Sequence, residues 1–157
     1  VARAVDASAD RYRWEIPVGL VSDFGVASSD AMRVRVYSSD DPGLYDENDD
    51  TFTVSCPRIS FEPGATSQSI TGTLDADDDR FRYVVGATVG QTMELRISPA
   101  RIGIDVRGAQ DGSTWELPAE ESSLTIASLP ETQDYFVTLK STTGSEAVDY
   151  TLELAIR

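Results

Sequence analysis

The chain has 157 residues, a formal net charge of -14 and 40% hydrophobic residues, a balance that supports a packed core and excludes wholesale disorder. So negative a field repels phosphate backbones and anionic lipid headgroups, which sets nucleic acid and membrane surfaces aside as partners. The sequence contains no histidine, so a Ser-His-Asp or Cys-His arrangement and a histidine metal triad are impossible within it.

No run approaches the roughly 20 apolar residues that a membrane-spanning helix needs. No secretory leader opens the chain, but it starts at Val1 without an initiator methionine. We read it as a processed or excised segment, so the missing leader does not argue against export. Cys56 is the lone cysteine, which excludes an internal disulfide framework and multi-cysteine metal sites. Its neighbours Ser55 and Pro57 suit a junction, with the thiol either quietly half-buried or paired to an upstream segment.

Val1 to Asp10 reads as a leader or linker. Tyr12, Trp14 and Ile16 alternate with Arg11, Arg13 and Glu15, the period of a half-buried strand that stops at Pro17. After a loose connection, Met32, Val34 and Val36 face one way and Arg33, Arg35 and Tyr37 the other, which predicts a second strand. Ser38 to Asp50 reads as a long turn around Asp41-Pro42-Gly43, and Phe52 and Val54 give a third strand. Trp14 to Pro17, Met32 to Tyr37, Asp41-Pro42 and Thr51 to Val54 resemble the closing half of an immunoglobulin-like module of microbial surface proteins. Three strands cannot close a sandwich of about seven. The resemblance therefore implies opening strands upstream, packing on the next module, or completion by another chain.

Cys56 to Ser69, with Pro57, Pro63 and Gly64, reads as a linker that becomes an edge strand, since proline is confined to edges and junctions. From Ile70 onward the alternation is regular. Ile70–Leu74, Phe81–Val85, Met93–Ile97, Ile102–Val106, Trp115–Leu117, Leu124–Ile126, Tyr135–Leu139 and Tyr150–Ile156 read as strands, with Asp111-Gly112 as a tight turn before Trp115. Only Ala119 to Ser122 could hold a helical turn. About eight short strands with turns every eight to twelve residues predict an antiparallel sandwich.

Arg82 to Val85 followed by Ala87 and Gly90-Gln91, the arm Ser113 to Leu117, Leu129-Pro130-Glu131-Thr132 leading to Asp134-Tyr135, and Tyr150-Thr151-Leu152 resemble the bacterial pre-peptidase C-terminal domain. The resemblance spans Ile70 to Arg157. It implies a small jelly-roll-like β-sandwich, appended to secreted proteins as an accessory module without peptidase activity. Related sandwiches include bacterial lysozyme inhibitors.

The best metal candidate is the acidic run Asp75, Asp77, Asp79, with Asp78 beside it, since carboxylates at alternate loop positions can converge on calcium. The helix-loop-helix pattern is incomplete: Arg80 stands where the turn glycine belongs and Gly86 where the bidentate glutamate belongs. The competing reading is a solvated turn that discourages edge pairing. Asp46, Glu47, Asp49 and Asp50 form a second acidic turn with the same two readings. Gly86 and Gly90 with Gln91 read as hairpin-turn glycines rather than a phosphate loop, for want of a following helix. Trp14, Trp115, Tyr135, Phe136 and Tyr150 would offer a carbohydrate-stacking platform where they face outward, but aromatics at strand spacing are more often core. Tyr135 and Phe136 must face opposite ways, leaving one exposed or at an interface.

The sequence therefore predicts an all-β chain: a partial immunoglobulin-like segment over residues 1–55, a linker or edge strand over 56–69, and an antiparallel jelly-roll-like β-sandwich similar to the pre-peptidase domain over 70–157. The expected role is non-catalytic, a structural or adhesion module outside the cell or on its surface. Its partners would be other domains of a longer polypeptide or neighbouring copies of itself. Two other roles fit: an inhibitor of a basic enzyme such as lysozyme, towards which an acidic surface would steer, and an accessory substrate-binding domain of a secreted hydrolase. No cofactor beyond calcium is expected, and no membrane insertion.

Overall fold

In strands of period two, Ile, Leu and Val at every second position must be covered on one face only. The computed structural model, which describes residues 16, 19–76, 80–142 and 146–157, covers them by stacking two sheets. The described chain is all-β and antiparallel, a β-sandwich as the alternation predicts.

The first part of the described chain forms two small ribbons. Strand β1 (Ser28–Met32) pairs with β4 (Phe52–Ser55), and β2 (Arg35–Tyr37) pairs with β3 (Tyr45–Glu47). The strand expected over Met32 to Tyr37 is thus broken. Val34 N–H is captured by the Asn48 side chain at 2.6 Å and Arg33 reaches Glu47 at 3.2 Å, so the chain leaves one partner and takes up another. The expected long turn contains β3. A 3₁₀ turn, Ser22–Phe24, precedes them, whereas Ala119 to Ser122, expected as the one helical turn, is not helical and carries Glu120 at φ 91°. Ile16 is described and lies outside any strand; the rest of the strand expected over Tyr12 to Ile16 lies outside the described residues.

The sandwich strands are β5 (Ser67–Leu74), β6 (Arg80–Ala87), β7 (Met93–Ser98), β8 (Ile102–Gly108), β9 (Thr114–Leu117), β10 (Ser123–Ile126), β11 (Gln133–Ser141) and β12 (Val148–Ile156). One sheet runs β10-β7-β12-β5 and the other β6-β11-β8-β9. Hence β5, β6 and β7, consecutive in sequence, alternate between sheets. The 87–93 connection, read as a hairpin turn, is an arch across the sandwich, and Gly86 lies inside β6, leaving Gly90, at φ 83°, as the turn glycine. Alternation fixes which side chains point inward but not which strand each one pairs with.

Leu95, Ile102, Ile104, Val106, Tyr135, Val137, Leu139 and Leu152 are fully buried between the sheets. Trp115 packs at their edge, with its ring centroid 6.3 Å from that of Tyr135. Two polar contacts pin the interior. The Tyr83 and Tyr150 hydroxyls, one from each sheet, share a 2.7 Å hydrogen bond. Burial, reinforced by that bond, pushes the Tyr150 phenol above its ordinary pKa. Gly72 makes room for it, since a Cβ there would fall 2.5 Å from the Tyr150 hydroxyl. The Tyr135 hydroxyl donates to Glu131 C=O at 2.7 Å, tying β11 to the loop before it.

The Leu129 loop is laced to the Gly90 arch: Gly90 N–H donates to Leu129 C=O, Leu129 N–H to Gln91 C=O, and Val89 N–H to Thr132 Oγ1. Residues quoted for the pre-peptidase resemblance, Gly90-Gln91 and Leu129 to Thr132, thus meet in one knot. In the β8–β9 hairpin Asp111 Oδ1 accepts from Ser113 and Gln133, and Gly108 leaves it space. Desolvation works to raise the Asp111 pKa, but those donors outweigh it and hold the carboxyl below its ordinary value.

Candidate functional site

Arg80 and Arg82 alternate with Phe81 and Tyr83, so inward packing of the aromatics projects both arginines from the outer face of β6. Register then builds a polar row across the sheet: Arg82 opposite Thr138, Thr138 opposite Asp105, and Asp105 opposite Glu116. The next row holds Val84, Phe136, Arg107 and Thr114. These rows floor a cleft of about 330 Å³ that Ser22 and Asp23 wall from above.

Arg82 organises the cleft. It donates to Thr138 Oγ1 at 2.8 Å, to Asp23 Oδ1 at 2.6 Å and to Ser22 Oγ, with its side chain only 18% exposed. Arg107 reaches Asp23 C=O, and Lys140 pairs with Asp105. Along the outer edge of β6, Val84 N–H donates to Pro57 C=O and Ile59 N–H to Val84 C=O. There Arg58 grips both Asp134 oxygens at 2.9 and 2.6 Å, and that hydrogen bonding raises the guanidinium pKa. Segment 19–25 thus lies over this sheet and segment 57–59 along its β6 edge, and Phe136, on the outer face, is 2% exposed. Both Tyr135 and Phe136 are therefore buried, on opposite faces as the alternation requires. Phe136 sits at the interface with the preceding segment.

The outer face of the other sheet is bare of cover from the described residues. Ser67, Ser69, Thr71 and Thr73 of β5 stand opposite Ala155, Glu153, Thr151 and Asp149 of β12. Glu94, Arg96 and Ser98 follow on β7, then Ser123 and Thr125 on β10. Most of these side chains are exposed.

Of the expected metal residues, Asp75 is exposed at the end of β5, while Asp77 and Asp79, with Asp78, lie outside the described residues. In the second acidic turn Glu47 is occupied by Arg35 at 2.8 Å and Arg33 at 3.2 Å, and the Arg35 hydrogen bond lowers its pKa. Among the described residues no three acidic or thiol side chains converge on a metal-sized site. Tyr135 and Tyr150 belong to the core and so are not a stacking platform, Trp115 is half-buried against the core and borders the cleft, and Trp14 lies outside the described residues. Cys56 is a half-buried free thiol. No described helix is long and apolar enough to cross a membrane.

The sequence reading missed the cleft. Its charges come from β6, β8, β9 and β11 and meet only through strand order. The arginine alternation in β6 was the available signal.

No protein-family model and no curated protein matches the sequence. Solved structures do resemble the fold. PliG of Aeromonas hydrophila, a periplasmic inhibitor of g-type lysozyme, is 20% identical with a TM-score of 0.55, covering 65% of this chain and 96% of its own. PliG of Salmonella Typhimurium is 20% identical with a TM-score of 0.53, covering 64% and 96%. The pre-peptidase C-terminal domain of a Bacillus anthracis collagenase is 13% identical with a TM-score of 0.45, covering 66% of this chain and 95% of its own. The chain thus shares the β-sandwich fold of the PliG proteins.

Proposed function

We propose that this chain is a non-catalytic binding domain of the exported compartments that inhibits a basic, lysozyme-type enzyme. The observation that carries the reading is a shared fold across 96% of the length of two PliG inhibitors of g-type lysozyme. The net charge of -14 supports it, because an acidic surface accelerates and orients encounter with a basic target. Within this reading residues 70–157 are the pre-peptidase-like sandwich, 56–69 the junction and 1–55 a partial immunoglobulin-like segment that docks through Ser22 and Asp23. The test is lysis of bacterial cell walls by a g-type lysozyme. Inhibition near stoichiometric ratio at micromolar protein, weakening as salt rises, supports the proposal, and undiminished lysis at about 10 μM inhibitor (binding weaker than about -7 kcal/mol) ends it.

A structural or adhesion module of an extracellular assembly is the second reading. It is favoured by the exposed Val36, Tyr37, Leu44 and Tyr45 on the β2–β3 ribbon, apolar surface of the kind that marks contact sites. Retention on chitin, cellulose or collagen would instead favour an accessory substrate-binding domain. Calcium held at Asp75, Asp77 and Asp79 is an accessory proposal: a rise in Tm on adding millimolar calcium supports it, and an unmoved Tm returns these residues to a solvated turn.

A further inference from the structure

The sandwich strands differ in how their outer edges are protected. Segment 57–59 bonds along β6, and β9 and β10 are short, four residues each. Strand β5 is eight residues long and terminal in its sheet, and its sequence, SQSITGTL, holds no charge and no proline. These are the devices by which sheet edges repel other strands, and β5 lacks them.

We propose that β5 is a homodimer seam, pairing antiparallel with β5 of a second copy so that two four-stranded sheets become one. The backbone sets the register. Thr66 C=O accepts from Ile156 N–H at 2.8 Å, one step beyond Ser67 opposite Ala155. Bonded pairs alternate along an antiparallel ladder, so the even residues of β5 turn N–H and C=O towards β12, and Ser67, Ser69, Thr71 and Thr73 turn theirs to the other edge, which no described strand occupies.

A two-fold axis at Ile70 then sets Ser67 opposite Thr73 and Ser69 opposite Thr71. Hydroxyl meets hydroxyl on the outer face, a favourable cross-strand pairing, with Thr73 Oγ1, which donates to Asp149 in its own chain, left as the acceptor for Ser67. The two half-buried Ile70 side chains meet on the core side, where each gains apolar cover. This self-matching selects a second copy over a foreign strand. In a chain of charge -14 the seam is the neutral stretch on which two copies meet without like-charge contact; what repulsion remains is long-range and screened by salt. The inference is independent of the inhibitor reading.

Sedimentation velocity of the full chain tests it, from about 1 μM to about 1 mM, at ordinary ionic strength and at about 1 M salt, where the Debye length is ~3 Å. The expected result is reversible dimerisation, tighter at high salt. Ser69→Lys and Thr71→Lys, each adding an edge charge, are expected to weaken association on the order of tenfold or more, with Tm at low concentration unchanged. In a Cys56→Ser background, mixed Ser69→Cys and Thr71→Cys chains should form an inter-chain disulfide in preference to either alone, since directly bonded pairs hold Cα atoms about 5.5 Å apart. A monomer at every concentration in both salts overturns the proposal, as does a dimer that both lysine variants leave intact.

Discussion

The two outer faces of the sandwich differ in a way that their strands, read singly, do not announce. Both sheets are four-stranded and antiparallel and send apolar residues inward at every second position. The β6-β11-β8-β9 sheet is covered again on its outside, where Phe136, Val84 and Thr138 are buried beneath or beside segments 19–25 and 57–59. The β10-β7-β12-β5 sheet turns serine, threonine and a few charges to solvent. A half-buried sheet needs apolar residues on one face only. An aromatic on the second face, such as Phe136, therefore marks cover supplied by another part of the chain.

The largest effect should separate the two faces. Phe136→Ala is expected to cost about 3 kcal/mol or more in urea unfolding, the range for a buried phenylalanine. Thr151→Ala, at an equivalent outward position on the bare face, should fall within about 0.5 kcal/mol. Equal costs would mean that Phe136 is not held under cover. Next comes the contact that joins the sheets. Tyr150→Phe alone leaves the buried Tyr83 hydroxyl without its partner and should cost about 1–3 kcal/mol, with the double change Tyr83→Phe and Tyr150→Phe costing less than the sum of the two singles.

The same pair gives an alkaline signature. The Tyr150 pKa is raised in the folded chain, so the native state keeps a proton that the unfolded state releases. That stability is fully present below the unfolded phenol pKa of about 10 and is lost as pH rises through the folded value. A stability-pH curve that declines above about pH 10 in the parent and flattens in Tyr150→Phe would show it.

Strand content was largely legible because a sandwich with one core writes period two into every strand. Each of the eight expected strands from Ile70 onward is present, β5 starting three residues early at Ser67. Pairing was not legible. β6 and β7 each alternate as hairpin arms would, and only the partners β11 and β12, tens of residues away, reveal an arch between sheets. The break at Arg33-Val34 was hidden for a similar reason: the alternation continues through it, and the cause is Asn48 capturing a backbone donor from 14 residues away. The Arg82 cleft needs four strands in the right order, so no spacing rule could have assembled it. The acidic turn was the opposite case, conspicuous in sequence and, beyond Asp75, outside what the structure describes.

A smaller test isolates the clasp that holds the cover in place. Arg82 is bonded at once to its own sheet, through Thr138, and to the covering segment, through Ser22 and Asp23. Arg82→Ala removes bonds to three anchors that differ greatly in exposure: Thr138 and Ser22 are 4% and 0% exposed, whereas the Asp23 side chain is 60% exposed. The bonds to Thr138 and Ser22 should therefore dominate, and the loss should be about 1–2 kcal/mol, whereas Asp23→Asn should shift stability by only a few tenths of that, as exposed ion pairs do. Amide exchange distinguishes a clasp from a general weakening. If Arg82 holds the cover, Arg82→Ala raises exchange at the bonded amides of Asp23, Phe24 and Gly25 while the β11 amides keep most of their protection, because local opening is then easier than global unfolding. A uniform loss of protection across both would mean that Arg82 supports the sheet itself, and the contrast between a covered and a bare face would rest on Phe136 alone.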